Sequence, residues 1–249
     1  MTIESENELI SMRRIGKIVA MAREEMLANV RPGITTAELD RIGKTVLDRH
    51  GAVSAPNRTY GFPGTTCISL NHVAAHGIPG QTALREGDMV NIDVSAELGG
   101  YYADTGATMV VPPYRSAVQE KLCDSSRRAL TRAIGQARAG TRVNQIGRVI
   151  EREAKADGFR VIRNLAGHGI GRALHEQPDD ILNFRDPRDG RLLTNGLVLA
   201  VETFLTNGAE LVEEAEDGWG LVCPEGTLVA QFEHTIVVTR GEPIILTAV

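Results

Sequence analysis

Apolar residues at the start of the chain recur at the spacing of a helix. Ser5-Glu6-Asn7-Glu8 forms a capping box, and Leu9, Met12, Ile15, Val19, Ala22 and Met26 then share one face until Pro32-Gly33. The pattern predicts a long amphipathic first helix. A second box, Thr35-Thr36-Ala37-Glu38, opens a shorter helix with the stripe Leu39, Ile42, Val46 and Leu47, closed by Gly51. Residues 52–66 carry Pro56, Gly61, Pro63 and Gly64 and are expected to be irregular chain holding Tyr60 and Phe62.

The period then changes. Residues 67–70 read as a short strand, and 89–97 and 103–111 as two longer ones joined by a turn at Gly99-Gly100. Successive side chains of a strand face opposite ways, so Asn91, Asp93 and Ser95 share one face while Val90, Ile92 and Val94 share the other. A third helix is expected from about 116 to 139, with Val118, Leu122, Leu130 and Ile134 inside and Gly140 ending it. A fourth, capped by Asn144, carries Ile146, Val149 and Ile150 as far as Gly158. Residues 159–163, 197–205, 221–224 and 228–238 read as strands, set among polar loops near 177–195 and 207–220.

The pattern repeats. One constant shift sets Gly33 on Gly140, Leu39 on Ile146, Ile42 on Val149, Gly51 on Gly158 and Asn57 on Asn164. With gaps, Ala75 to Pro79 then matches Gly167 to Gly171, Gly87 to Asp93 matches Gly196 to Glu202, and Asp104 to Val111 matches Glu233 to Val238. Two copies of one helix-and-strand unit are implied. Under this correspondence Asp93 pairs with Glu202, Asp104 with Glu233 and His76 with His168, all converging on a pseudo-twofold axis.

Composition narrows the function. With 249 residues and 42% hydrophobic content, the chain can bury a sizeable core. A net charge of -5 without basic blocks speaks against nucleic acid and anionic membrane as partners. Cys67, Cys123 and Cys223 are too few and too scattered for a disulfide framework, which suits a reducing cytoplasm. The segment from Met1 to Leu9 carries three glutamates and does not read as a signal peptide, and no apolar run approaches membrane length.

Asp93 and Glu202 each lie within a run of strand-forming apolar residues, where a carboxylate is rarely found unless something pairs with it. Taken singly, several acids and histidines have plainer readings: Asp104 as a turn acid, Glu233 as an edge-strand acid facing solvent, His76 as a hydrogen-bonded structural histidine. Taken together, four carboxylates and an imidazole on adjacent strands suit two divalent ions of intermediate hardness. Two such ions acidify a water and stabilise the oxyanion that forms on attack, so the set predicts hydrolysis. Asp93, Asp104 and Glu233 are assigned to bind or bridge the ions, His168 to cap one of them, and Glu202 to bind while shuttling the proton of the water. His76 and His175 are expected to hydrogen-bond the substrate and its tetrahedral intermediate. His50, His72 and His234 are left outside the set, His234 because it must point opposite to Glu233.

Ala75-His76-Gly77-Ile78-Pro79, Asn91-Ile92-Asp93-Val94, Asp104-Thr105, Gly167-His168-Gly169-Ile170-Gly171, His175-Glu176 and Gln231-Phe232-Glu233-His234-Thr235 together resemble the type I methionine aminopeptidases. The resemblance runs over almost the whole chain. It implies an α+β pita-bread (creatinase/aminopeptidase) fold: two pseudo-twofold-related halves with a curved, mostly antiparallel sheet backed by helices. The single catalytic domain would span 1–249, its halves meeting near residues 112 and 113. The same five residues are the metal ligands that the resemblance implies. His76, His175 and Glu202 would be catalytic, and Phe62, Cys67 and Trp219 would line the substrate pocket with the two histidines. The implied activity is metal-dependent aminopeptidase removal of the N-terminal methionine from nascent polypeptides when the next residue is small. The implied cofactors are two divalent ions (Co, Mn, Fe or Zn), and the partners are nascent N-termini, with the ribosome a candidate dock for a cytoplasmic monomer. The helical insertion of the type II enzymes has no room in the second half.

Departures from the family pattern gather at the methionine pocket. Phe62 replaces a frequent tyrosine, Pro56, Thr59 and Leu174 stand where Cys, Tyr and Phe are common, and Thr203 replaces the proline that usually follows the glutamate. These leave open an X-Pro-type aminopeptidase of the same fold. A non-catalytic protein-binding relative is the further alternative, against which the retention of all five ligand positions speaks.

Overall fold

The computed structural model describes residues 1–113 and 116–248; residues 114, 115 and 249, which fall within the expected domain span, lie outside the described residues. Helix α1 spans Glu6–Ala28 and starts at the expected box, with both the Ser5 and Glu8 side chains bonded to backbone. Met12, Ile15, Val19, Ala22 and Met26 are fully buried, at roughly 1.5–3 kcal/mol for each large side chain. Helix α2, Thr36–Arg49, likewise begins at its Thr35 box. Chain expected to be irregular holds strand β1, Val53–Ser54, and helix α3, Ala55–Tyr60. Here Ser54 caps the helix and Pro56 sits in its first turn, where a missing N–H breaks no hydrogen bond.

Strands β2 (Cys67–Leu70) and β3 (Val73–Ala75) lead into the hairpin of β4 (Met89–Leu98) and β5 (Tyr101–Val110), paired from Met89↔Val110 to Leu98↔Tyr101. Val90, Ile92, Val94 and Ala96 turn into the apolar core shared with α1 and α2. Helix α4 spans Ala117–Ile134 and ends short of the expected position 139, because Ala139 N–H goes to the Thr239 carbonyl and the chain there bridges to 239. Val118 is exposed, not part of the buried stripe, and Gln119 takes the inward place, donating to the Gly87 carbonyl. Helix α5 spans Asn144–Ala156 with Asn144 as its first residue and not its cap; the Asn144 amide instead donates to the carbonyls of Asp186 and Asp189.

The second half continues through β6 (Arg160–Val161), β7 (Ala166–Gly169), β8 (Glu176–Leu182) and β9 (Val198–Thr206). It closes with β10 (Glu213–Glu214), β11 (Leu221–Val222), β12 (Val229–Val237) and β13 (Ile244–Ile245). The larger sheet runs β13-β12-β9-β7-β8 with β6 beside β9, so β8 is an edge strand where a polar loop was expected. Helices α4 and α5 cover the core of β9 and β12 as α1 and α2 cover that of β4 and β5. This is the duplicated layout anticipated from the repeat.

The halves meet along β5 and β12, bridged by threonine hydroxyls. Thr105 Oγ1 donates to the Glu233 carbonyl at 2.9 Å, Thr235 Oγ1 to the Asp104 carbonyl at 2.7 Å, and Thr108 Oγ1 to the Gln231 carbonyl at 2.8 Å. The seam therefore binds the backbone at both acids, which fixes where their side chains start. Among the described residues no helix is long and apolar enough to cross a membrane.

Candidate metal centre

Register decides what the acids meet. Asp93 lies opposite Gly106 and Ser95 opposite Asp104 in the β4–β5 ladder, so the two aspartates sit diagonally on one face and interact. Glu202 and Glu233 face each other directly across β9 and β12. Like charges in that relation destabilise a sheet unless something neutralises them. His168 on β7 lies opposite Ala200, two residues before Glu202 and so on the same face of β9. The glycines beside it allow that close approach: a Cβ on Gly167 would stand 2.4 Å from the Ala200 carbonyl oxygen, and one on Gly169 2.3 Å from that of Gln177.

Ligand atoms of Asp104, His168 and Glu233 all lie within 4.8 Å of one another, and the three residues are 8%, 5% and 2% exposed. Asp93 and Glu202 flank this tight group and couple electrostatically to Asp104. Burial lifts every carboxyl: it raises Asp104 to about 6 against the lowering effect of Asp93 and the Thr105 backbone, and burial with the neighbouring acids raises Glu202 to about 8 and Asp93 and Glu233 well above the usual carboxylate range. Four such groups cannot all ionise without a cation between them.

The donor set fits a divalent ion. Asp104 Oδ1 and Glu233 Oε1 are buried oxygens without a hydrogen-bond partner. His168 Nδ1 lies 2.9 Å from the Gly169 carbonyl oxygen, which can only accept, so the ring proton is on Nδ1 and the Nε2 lone pair is free. Burial, and then the charge of His175, hold the His168 imidazole neutral by lowering its pKa to about 4. Carboxylate oxygen with neutral imidazole nitrogen is a combination for ions of intermediate hardness.

Above this floor opens a cavity of about 340 Å³. Each of the ten residues singled out in the sequence lies on it: the four acids and the histidine of the floor, His76, His175, Phe62, Cys67 and Trp219. His76 follows β3 in the left-handed region, φ 56°, a conformation that costs a non-glycine residue energy and recurs at functional sites. Its ring opens to the cavity, yet the surrounding protein desolvates it enough to lower its pKa. His175 packs tilted against His168, ring centres 4.1 Å apart and planes 46° from parallel, and burial and the charge of His76 lower its pKa. Phe62 and Trp219 meet edge to face at 5.2 Å, and with Cys67, Pro56, Leu174 and Phe204 they give the cavity an apolar wall. Thr203 turns the other way, its hydroxyl 2.8 Å from Ser126 Oγ on α4. His234 also faces away from the acids, bonded to Thr247 Oγ1.

Two polar residues of the site were missed in the sequence. Tyr60 hydrogen-bonds His175 Nδ1 at 2.6 Å; the Ser54 cap and Pro56 were the available signal for the helix that carries it. Gln231 stands two residues before Glu233 on the same face, and its Nε2 donates to Glu233 Oε2 at 3.1 Å and weakly to Glu202 Oε2 at 3.4 Å. Its Oε1 accepts from Asn91 Nδ2 at 2.8 Å, which fixes the direction of the amide.

Crowded acids with unpartnered buried oxygens, beneath a cavity with an apolar wall, define a metal-dependent enzyme. The chain belongs to metallopeptidase family M24, whose model matches residues 10–240. It is 52% identical over 248 residues to methionine aminopeptidase 2 of Bacillus subtilis, covering 99% of each chain. Among solved structures it is similar to a methionine aminopeptidase from Thermotoga maritima, with a TM-score of 0.95, 33% identity and full coverage of both chains. A prolidase from Pyrococcus furiosus shares the fold alone, with a TM-score of 0.78, 20% identity, and coverage of all of this chain and 66% of that one. The common architecture is the pita-bread fold.

Proposed function

We propose that this protein is a methionine aminopeptidase that removes the N-terminal methionine of nascent polypeptides when the next residue is small. The observation that carries the reading is the convergence of all five expected ligands on the floor of a cavity walled by Phe62, Trp219, Cys67 and Leu174. A methionine side chain suits that wall, because a flexible thioether packs well against aromatic edges. Divalent ions, when bound, supply Lewis acidity to the attacking water and to the scissile carbonyl.

The roles proposed for the chain's own groups follow from their surroundings. Asp93, Asp104, His168, Glu202 and Glu233 hold two divalent ions. Glu202 offers one oxygen to Gln231, and its other oxygen takes up the proton of the attacking water and passes it to the leaving amine. His76 and His175, which both line the cavity, donate hydrogen bonds to the substrate and to the oxyanion formed on attack. We further place the chain in the type I branch: among the described residues no helix follows α5, in the half where type II enzymes carry an insertion. It would act as a cytoplasmic monomer of one catalytic domain, its halves about 1–112 and 113–249, with the ribosome as a candidate dock.

The test is release of methionine from Met-Ala-Ser after chelation and separate re-addition of Mn, Fe, Co and Zn, run beside hydrolysis of an X-Pro dipeptide. Metal-restored release of methionine is expected. Preference for the X-Pro substrate would overturn the assignment, and calorimetry without divalent-ion binding would leave only a protein-binding role.

A further inference from the structure

Two imidazoles stand in contact at this site, and the chemistry asked of them is opposite. His168 must present a bare nitrogen, and the Gly169 carbonyl arranges this by occupying its Nδ1–H. His175 must present a hydrogen, and among the described residues no backbone carbonyl is bonded to its ring. We propose that Tyr60 is the positioning residue that does so: its phenol donates to His175 Nδ1 and holds the ring with its proton on Nε2, directed at the substrate. The proposal rests on the aminopeptidase reading and deepens it.

The geometry supports each link. Tyr60 Oη lies 2.6 Å from His175 Nδ1, a short distance for this pair. An imidazole sp² nitrogen accepts better than a phenol oxygen, whose lone pair is delocalised into its ring, so the phenol is the donor. Burial raises the Tyr60 pKa, which keeps that donor protonated. When Nδ1 accepts, a neutral imidazole carries its hydrogen on Nε2.

Both partners are also held from behind. Helix α3 is fastened by Ser54 Oγ donating to the Thr65 carbonyl at 2.7 Å and by Asn57 Nδ2 donating to that of Phe62 at 2.8 Å. Arg58 pairs at 3.0 Å with the buried Glu97, whose other oxygen accepts from Gly100 N–H in the β4–β5 turn. His175 ends a turn closed by Glu176 Oε1, which accepts from the backbone of Arg172 and Ala173 at 2.5 and 2.6 Å. What remains free is the rotation and tautomer of the His175 ring, and Tyr60 fixes those.

Tyr60→Phe removes the hydroxyl and keeps the ring of a residue 52% exposed, so folding is expected to survive, with melting unchanged. On Met-Ala-Ser, kcat should fall about tenfold or more with KM nearly unchanged, since the lost contact matters in the transition state. In a His175→Ala background the same change should do almost nothing more. In metal-free protein, imidazole nitrogen chemical shifts should report the Nε2–H form at His175 in the wild type and a mixture of forms in Tyr60→Phe. A raised KM at constant kcat would make Tyr60 a substrate contact and overturn the proposal. Additive effects in the double variant, or an Nδ1–H form in the wild type, would do the same. If the wild type released no methionine, the aminopeptidase reading would fall, while the nitrogen shifts would still decide what Tyr60 does.

Discussion

Gly106→Ala tests the amide that organises the carboxylates. A methyl at this position would stand 2.1 Å from Gln231 Oε1 and 2.6 Å from its Nε2, far inside contact distance. The end of a glutamine side chain ordinarily moves aside cheaply, but this one is tied. Displacing it breaks the 2.8 Å bond from Asn91 and the 3.1 Å bond to Glu233, together with the weak 3.4 Å contact to Glu202. A neutral hydrogen bond contributes about 1 kcal/mol and one to a charged group about 1.5–3 kcal/mol, so the loss comes to roughly 3 kcal/mol. For a chain of this size that lowers the melting temperature by roughly 6–12 °C. Calorimetric melting of Gly106→Ala, Gln231→Ala and the double variant measures it. Because the clash is with Gln231, the alanine at 106 should destabilise the Gln231→Ala background by less than about 0.5 kcal/mol, the range of an unremarkable substitution. An undiminished effect in that background would show that the strand, and not the amide, rejects the methyl. Divalent-ion affinity by titration calorimetry should drop about 10–100-fold in either single variant, as expected when support of the ligands is lost.

Glu202→Gln should fold and lose about 100-fold or more in kcat, because an amide cannot take up the proton; near wild-type turnover would remove Glu202 from the mechanism. Metal-free protein should lose stability as pH rises. Burial and then Asp104 lift Glu202 to about 8, so the folded chain keeps a proton that the unfolded chain releases near its usual value of 4.5. His168 and His234, pushed down to about 4, oppose this only below their ordinary value of 6.5. Between about pH 6.5 and 8 Glu202 alone should cost about 1–2 kcal/mol, at 1.36 kcal/mol per pH unit per proton, and Asp93 and Glu233, raised in the same direction, add to the loss. Urea unfolding of chelated protein at the two pH values measures it, and a level or rising stability contradicts the shifts. Thr203→Val should lower stability by about 1 kcal/mol and leave kcat essentially unchanged, since Ser126 still donates to the Ala230 carbonyl; a large fall in kcat would place Thr203 in the site.

The elements that could be read from sequence are those with local signals. The boxes at Ser5 and Thr35 and the diglycine turn of the β4–β5 hairpin carry their own hydrogen-bonding logic, and structure places them as expected. Strand β8 was hidden because Glu176-Gln177-Pro178-Asp179-Asp180 has the charge and proline that protect an edge strand from pairing outward, and so reads as a loop. The end of α4 was set by a bridge to residue 239, a partner invisible to any local window. At the site, Asp93 and Glu202 declared themselves by standing in apolar runs, and Asp104 and Glu233 only through the repeat that sets them on each other. Tyr60 and Gln231 did not, because a tyrosine in a turn-rich stretch and a glutamine in a strand acquire meaning only from His175 and Asn91, which lie far away in sequence.

The threonine seam has a further implication for how such a chain can vary. Asp104 lends its carbonyl to Thr235 of the other half, and Glu233 lends its carbonyl to Thr105, so the contact is mutual in the manner of an isologous dimer built into one polypeptide. Neither lobe holds all five of the proposed ligands. Hydroxyl bridges at each acid leave little slack, so drift in one lobe that moved its acid would have to be answered in the other before both could grip the same ion.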